Sequence, residues 1–150
     1  SPAMSSILGL GAVLGIVFLA WLMAAWGIYS ITLGPEVPAS IGAFLKDVLT
    51  TSAGWTMIVA GFAVGAVFAA LTFAISAVSF PLLLDRDVGV ATAIRTSMHA
   101  VAHNPGTMTA WGFIIAALLA LGSLPALAGL IFVVPWLGHA SWHLYRKLVD

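Results

Sequence analysis

The chain has 150 residues, 62% of them hydrophobic and 7% charged, with a mean hydropathy of +1.14. Soluble domains carry about a quarter charged residues, so a solvated globule and a disordered segment are both excluded. Five basic residues balance five acidic ones and there is no cysteine, which leaves no basic patch for nucleic acid and removes disulfides, thiolate metal sites, thiol nucleophiles and thiol-linked haem.

Residues 7–33, 55–84 and 108–145 contain no Asp, Glu, Lys or Arg. A bilayer core of roughly 30 Å is crossed by about 20 apolar helical residues, because only a helix or a closed barrel satisfies its own backbone polar groups in lipid. The expected fold is all-α: one transmembrane domain over residues 1–150, a polytopic bundle of four spans. The first six residues carry no basic side chain and the apolar run after them is too long for a signal core, so the first segment reads as a true span.

In chain order, span one covers about 5–33 and stops at Gly34-Pro35, where proline lacks an N–H and restricts its predecessor. Ser40 caps a short amphipathic helix near 40–50, with Ile41, Phe44, Leu45, Val48 and Leu49 opposite Lys46 and Asp47. It is expected to lie on the membrane surface. Span two covers about 55–84, with Pro81 bending or ending it. The cluster Asp85-Arg86-Asp87 follows, and Asp87 is expected to cap a second interfacial helix near 88–103. That helix has an apolar face of Val90, Ala91, Ile94, Met98 and Val101 opposite Thr92, Arg95, Thr96, His99 and His103.

Asn104-Pro105-Gly106 breaks it, and the last apolar run divides at Gly122-Ser123-Leu124-Pro125 into spans at about 107–122 and 125–146, the latter kinked by Pro135. Four crossings put both termini on one side. Arg86, Arg95, Arg146 and Lys147 share that side while Lys46 stands alone opposite, so the positive-inside rule makes the termini cytoplasmic. Trp55 near one interface and Trp111, Trp142 and Tyr145 near the other fit aromatic belts.

Three sets of residues are candidate sites. Gly11 and Gly15, and Gly61 with Gly65 and Ala69, form small-residue stripes at helix-packing spacing. They suit contact between spans one and two, or between copies of the chain. His99 with His103 and His139 with His143 are i, i+4 pairs. Each pair projects from one helix face at metal-ligand spacing, and together with Asp85 and Asp87 they are candidates to hold a transition metal or haem. The plainer alternative is that they are half-solvated interfacial groups, since no Glu completes a His-Glu-x-x-His hydrolase pattern. Asp85, Arg86 and Asp87 are expected to end span two at the interface and pair locally, with an ion-binding or gating role as the alternative. No charge lies at mid-span, which argues against a proton relay or ion-coupled transporter. Nor is there a phosphate loop or nucleophile elbow, and the expectation is of no enzyme.

The run Ser79-Phe80-Pro81-Leu82-Leu83-Leu84-Asp85-Arg86-Asp87, then Ser97 and Asn104-Pro105, then Gly138-His139-Ala140-Ser141-Trp142-His143-Leu144-Tyr145-Arg146, resembles a family of bacterial predicted integral membrane proteins without an assigned function. Some members carry the label cytochrome c oxidase subunit I. The resemblance implies a multi-pass protein of the bacterial inner membrane and matches the C-terminal four-helix part of longer members, which have about two further spans upstream. It favours His139 and His143 over His99 and His103 as family positions. The oxidase catalytic subunit itself needs about a dozen spans and more histidines than this chain supplies.

Three functions follow as expectations. The first is a non-enzymatic accessory or scaffold component of a membrane complex, respiratory complexes included, with the lipid bilayer and a membrane-protein partner or a second copy around it. The second is a haem- or metal-binding protein using His139 and His143, and the third a small oligomeric channel or transporter.

Overall fold

A computed structural model describes residues 2–124 and 127–149. Among the described residues there are seven helices and no strand: α1 (Pro2–Thr32), α2 (Ile41–Thr50), α3 (Ser52–Ser76), α4 (Ser79–Asp85), α5 (Val90–His103), α6 (Pro105–Ser123) and α7 (Leu130–Val149). The chain forms two compact units, one of Ala12–Thr72 and one of Ser1–Gly11 with Phe73–Asp150.

Within the first unit, α1 ends as the Gly34-Pro35 signal predicts. Gly34 takes φ +92°, a left-handed conformation open to glycine without strain. Its N–H and that of Leu33 return to the Tyr29 carbonyl at 3.2 and 3.0 Å. Ser40 caps α2 as expected, its Oγ accepting from the Ala43 N–H at 3.1 Å. Thr51 then closes α2 and opens α3 with one side chain: its hydroxyl donates to the Asp47 carbonyl at 2.6 Å and accepts from the Gly54 N–H at 3.0 Å. That double cap starts α3 at Ser52, three residues before the expected 55. Gly54 is obligatory there, since a Cβ would run into the Val48 carbonyl and come within 2.5 Å of the Asp47 oxygen.

The apolar face of α2 is only partly covered. Val48 is buried and Phe44 half-buried against the Tyr29 ring, while Ile41, Leu45 and Leu49 stay exposed.

The second unit holds most of the core: Leu10, Ile75, Val78, Leu82, Leu83, Ala93, Ala100, Met108, Leu137 and Tyr145, with Ser79 and Ser97 as buried polar groups. Here α4 packs on α5 and on α7, α5 on α6, and α6 on α7. The expected single span over 55–84 is divided at Ala77-Val78, ahead of Pro81 rather than at it. Pro81 is the third residue of α4, where helical N–H groups lack partners anyway, so its missing donor costs nothing. The cause of the break comes from another helix. An unbroken helix would pair the Val78 N–H with the Ala74 carbonyl; instead the Ser97 hydroxyl of α5 accepts from Val78 at 3.1 Å and donates to Ala74 at 2.7 Å. A side chain inserted into the i, i−4 ladder is a recognised origin of helix breaks. Ser79 satisfies its hydroxyl on the Ile75 carbonyl.

The inward face of α5 differs from the expected one. Ala93, Ser97 and Ala100 are buried, whereas Ala91 and Met98 are exposed. Small residues allow α4 to approach the α5 backbone, and in lipid the bulky apolar side chains have no need to turn inward. The expected cap of α5 also differs: its N-cap is Gly89, with no side-chain hydrogen bond from Asp87.

The α6–α7 hairpin closes on two glycines. A Cβ on Gly129 would stand 2.8 Å from the Gly122 carbonyl oxygen, and one on Gly122 would stand 2.9 Å from Leu130 Cδ2. The expected Gly122-Ser123-Leu124-Pro125 turn is seen as far as Leu124; positions 125 and 126 lie outside the described residues. α7 begins at Leu130 rather than 125, with Pro135 inside it.

Among the described residues three helical runs are long and apolar enough to cross a membrane: Ala3–Thr32, Ser52–Asp85 and Pro105–Ser123. α7, the expected fourth crossing, is not among them. Its Pro135, His139, His143, Arg146 and Lys147 lower its hydropathy.

Candidate functional site

Three of the residues quoted for the family resemblance, Asp85, Ser97 and Tyr145, serve as structural partners in the second unit. Tyr145, fully buried on α7, donates its hydroxyl to Asp85 Oδ2 at 3.0 Å across sixty positions of sequence. Trp142 packs one turn away, its ring centroid 5.4 Å from that of Tyr145. Arg86 Nε lies 3.7 Å from the same carboxylate oxygen. Hydrogen bonds to an ionised acceptor are the stronger kind, while an exposed ion pair between chain neighbours adds about 0–1 kcal/mol. Asp85 is therefore a joint that binds α7 to the end of α4, and Asp87 is exposed. Ser97 makes the second joint, α5 to the α3–α4 break. Gly9 makes a third, because a Cβ there would sit 2.9 Å from Val90 Cγ2 at the start of α5.

The histidines are not brought to one point. Among the described residues no three His, Asp or Glu side chains are placed to hold a metal ion. All four imidazoles are exposed, because the inward faces of their helices are taken by Ala93, Ser97 and Ala100 on α5 and by Leu137 and Tyr145 on α7. The shell of four imidazoles and two carboxylates is thus not assembled. His99 and His103 do come together, with stacked rings 3.8 Å apart. On the other pair, His139 Nδ1 faces the Pro135 carbonyl at 3.0 Å.

The small-residue stripes divide. A Cβ on Gly65 would meet Trp21 Nε1 of α1 at 4.0 Å, an ordinary contact, whereas Gly11, Gly15 and Gly61 face open space.

A family model described as predicted integral membrane protein (DUF2189) matches residues 1–85. The chain belongs to this family. The DUF2189 match covers α1 to α4 and ends at Asp85, the carboxylate that receives Tyr145, so the family segment and α7 meet at that hydrogen bond. The Gly138–Arg146 run lies beyond the match. No curated protein and no solved structure matches the chain.

Sequence reasoning placed Tyr145 in an aromatic belt and missed its bond to Asp85, since residues sixty positions apart leave no local signal. It also passed over Ser97 as a packing group. The signal was present in the spacing of Ala93, Ser97 and Ala100, a small-residue face at helix-contact positions.

Proposed function

We propose that this membrane protein is a non-enzymatic accessory or scaffold component of a bacterial inner-membrane complex, using the faces at Gly15 and Gly61 to seat a partner helix. The observation that carries this reading is the open space at Gly11, Gly15 and Gly61. Helices associate in lipid where small residues let backbones approach, and these positions are left open by the chain itself. A partner membrane helix is the occupant this geometry suits, with a second copy as the competing outcome. The oxidase label attached to some family members makes a respiratory complex the first place to look.

The proposed topology has four crossings with cytoplasmic termini. Support comes from α7, which is 20 residues long, packs on α6 and ends in Arg146 and Lys147. At about 1.5 Å per residue it reaches about 30 Å, one bilayer core. The Ser52–Asp85 run has 34 residues and would reach about 51 Å if straight, so the break at Ala77-Val78 supplies an end for the second crossing. The exposed apolar residues of α2 suit a helix lying in the membrane surface on the far side.

A Cβ at Gly15 or Gly61 meets nothing within 4 Å, so leucine variants at these positions should keep wild-type helicity while losing association. Extracted from native membranes in mild detergent, the wild-type protein should migrate well above its own 15.5 kDa plus the micelle, and the Gly15→Leu, Gly61→Leu double variant should fall to the single-chain size. Equal sizes for both would reject the proposal.

A further inference from the structure

We infer that His99 and His103 form an open two-imidazole site for a divalent transition-metal ion, copper(II) foremost, at the C-terminal end of α5. The inference is independent of the scaffold reading and rests on three features of α5.

The first is proximity. The two rings stack with centroids 3.8 Å apart and an interplanar angle of 20°, so they lie face to face on an exposed helix face. The broad terminal torsion of His99 lets its ring turn a nitrogen toward an ion held at His103, with no backbone movement.

The second is the tautomer. His103 Nδ1 lies 3.0 Å from the His99 carbonyl, and a carbonyl oxygen only accepts. The proton therefore sits on Nδ1, and Nε2 presents a lone pair outward. A ligating histidine that donates its other ring N–H to a backbone carbonyl is the usual second-layer arrangement of metal sites, where it fixes ring orientation and raises basicity.

The third is the helix end. His103 is the last residue of α5 and His99 stands one turn before it. The free carbonyls of a last turn carry partial negative charge and favour a cation. Arg95, one turn further back, opposes a cation, but it is exposed and its charge is screened by solvent.

With no third protein ligand placed nearby among the described residues, water must complete the coordination. That favours copper(II), which takes tetragonal nitrogen and oxygen sets and stands highest in the divalent affinity order, over the closed four-ligand shell of structural zinc. His139 shares the tautomer of His103 through Pro135. Among the described residues no ring contact joins it to His143, so α7 serves as the internal control.

The test is a copper(II) titration of protein purified without a histidine tag, with electron paramagnetic resonance to count bound nitrogens. The wild-type protein should bind one copper per chain through two nitrogens. His99→Ala and His103→Gln should each weaken binding about a hundredfold, the lower end of the gain from linking two contacts. His139→Ala and His143→Ala should leave it unchanged. All four side chains are exposed, so circular dichroism should be the same throughout. Equal affinity in wild type and His99→Ala, or a loss that follows His139→Ala instead, would overturn the site.

Discussion

Replacing Ser97 with valine should destabilise the detergent-solubilised protein by about 2–5 kcal/mol, and replacing it with alanine by about 1–3 kcal/mol. In both variants the Val78 N–H and the Ala74 carbonyl lose the hydroxyl that serves them. Leaving a buried backbone group unpaired costs about 1–3 kcal/mol, and hydrogen bonds measured within membranes average about 0.6 kcal/mol. Alanine sits toward the low end because the ladder can close again, pairing Val78 directly with Ala74 and straightening the α3–α4 junction. Valine adds volume at a position with no exposure at all, and overpacking contributes a further 1–3 kcal/mol or so. Unfolding in a graded denaturing detergent reads the difference. A loss below about 0.5 kcal/mol in Ser97→Val would mean that the break does not depend on α5.

Tyr145→Ala should cost about 3–5 kcal/mol, as expected when a fully buried aromatic ring is emptied, with loss of the α4–α7 contact. Tyr145→Phe isolates the hydroxyl. It keeps the ring beside Trp142 and removes the bond to Asp85, for about 1–2 kcal/mol, because Asp85 is a third exposed and water recovers part of its solvation. Asp85→Asn keeps an acceptor oxygen and should be milder than Tyr145→Phe. The double variant should lose less than the sum of the singles, since both act on one bond. Full additivity in that cycle would show that the two residues do not interact.

Much of the architecture was legible in the sequence for a simple reason: lipid leaves the backbone few options, so uncharged runs and Gly-Pro punctuation mark helices and their ends. Gly34 and Ser40 were readable because turn and cap chemistry is local. The parts that were not legible depend on distant partners. Pro81 is the strongest local breaker in its segment, yet the helix divides three residues earlier because Ser97 enters from α5. Asp87 has the right chemistry for a cap, yet α5 starts behind Gly89 instead. Asp85 read as an interfacial charge, whereas its partner is a tyrosine on α7. The histidines illustrate the reverse case. Their i, i+4 spacing was plain, but which pair stacks is set by side-chain torsions that the spacing does not carry.

The absence of cysteine gives the central claim a direct test, because an introduced thiol is then the chain's sole cross-linking point. In native membranes, Gly15→Cys and Gly61→Cys should each form a cross-linked adduct, while Val59→Cys, exposed on the opposite face of α3, should not. An adduct heavier than two chains, or of a mass other than twice the chain, identifies a partner protein; one at twice the chain identifies a second copy and revises the occupant. No adduct at either glycine position, or equal adducts at Val59, would contradict the claim that the small-residue faces seat another membrane helix.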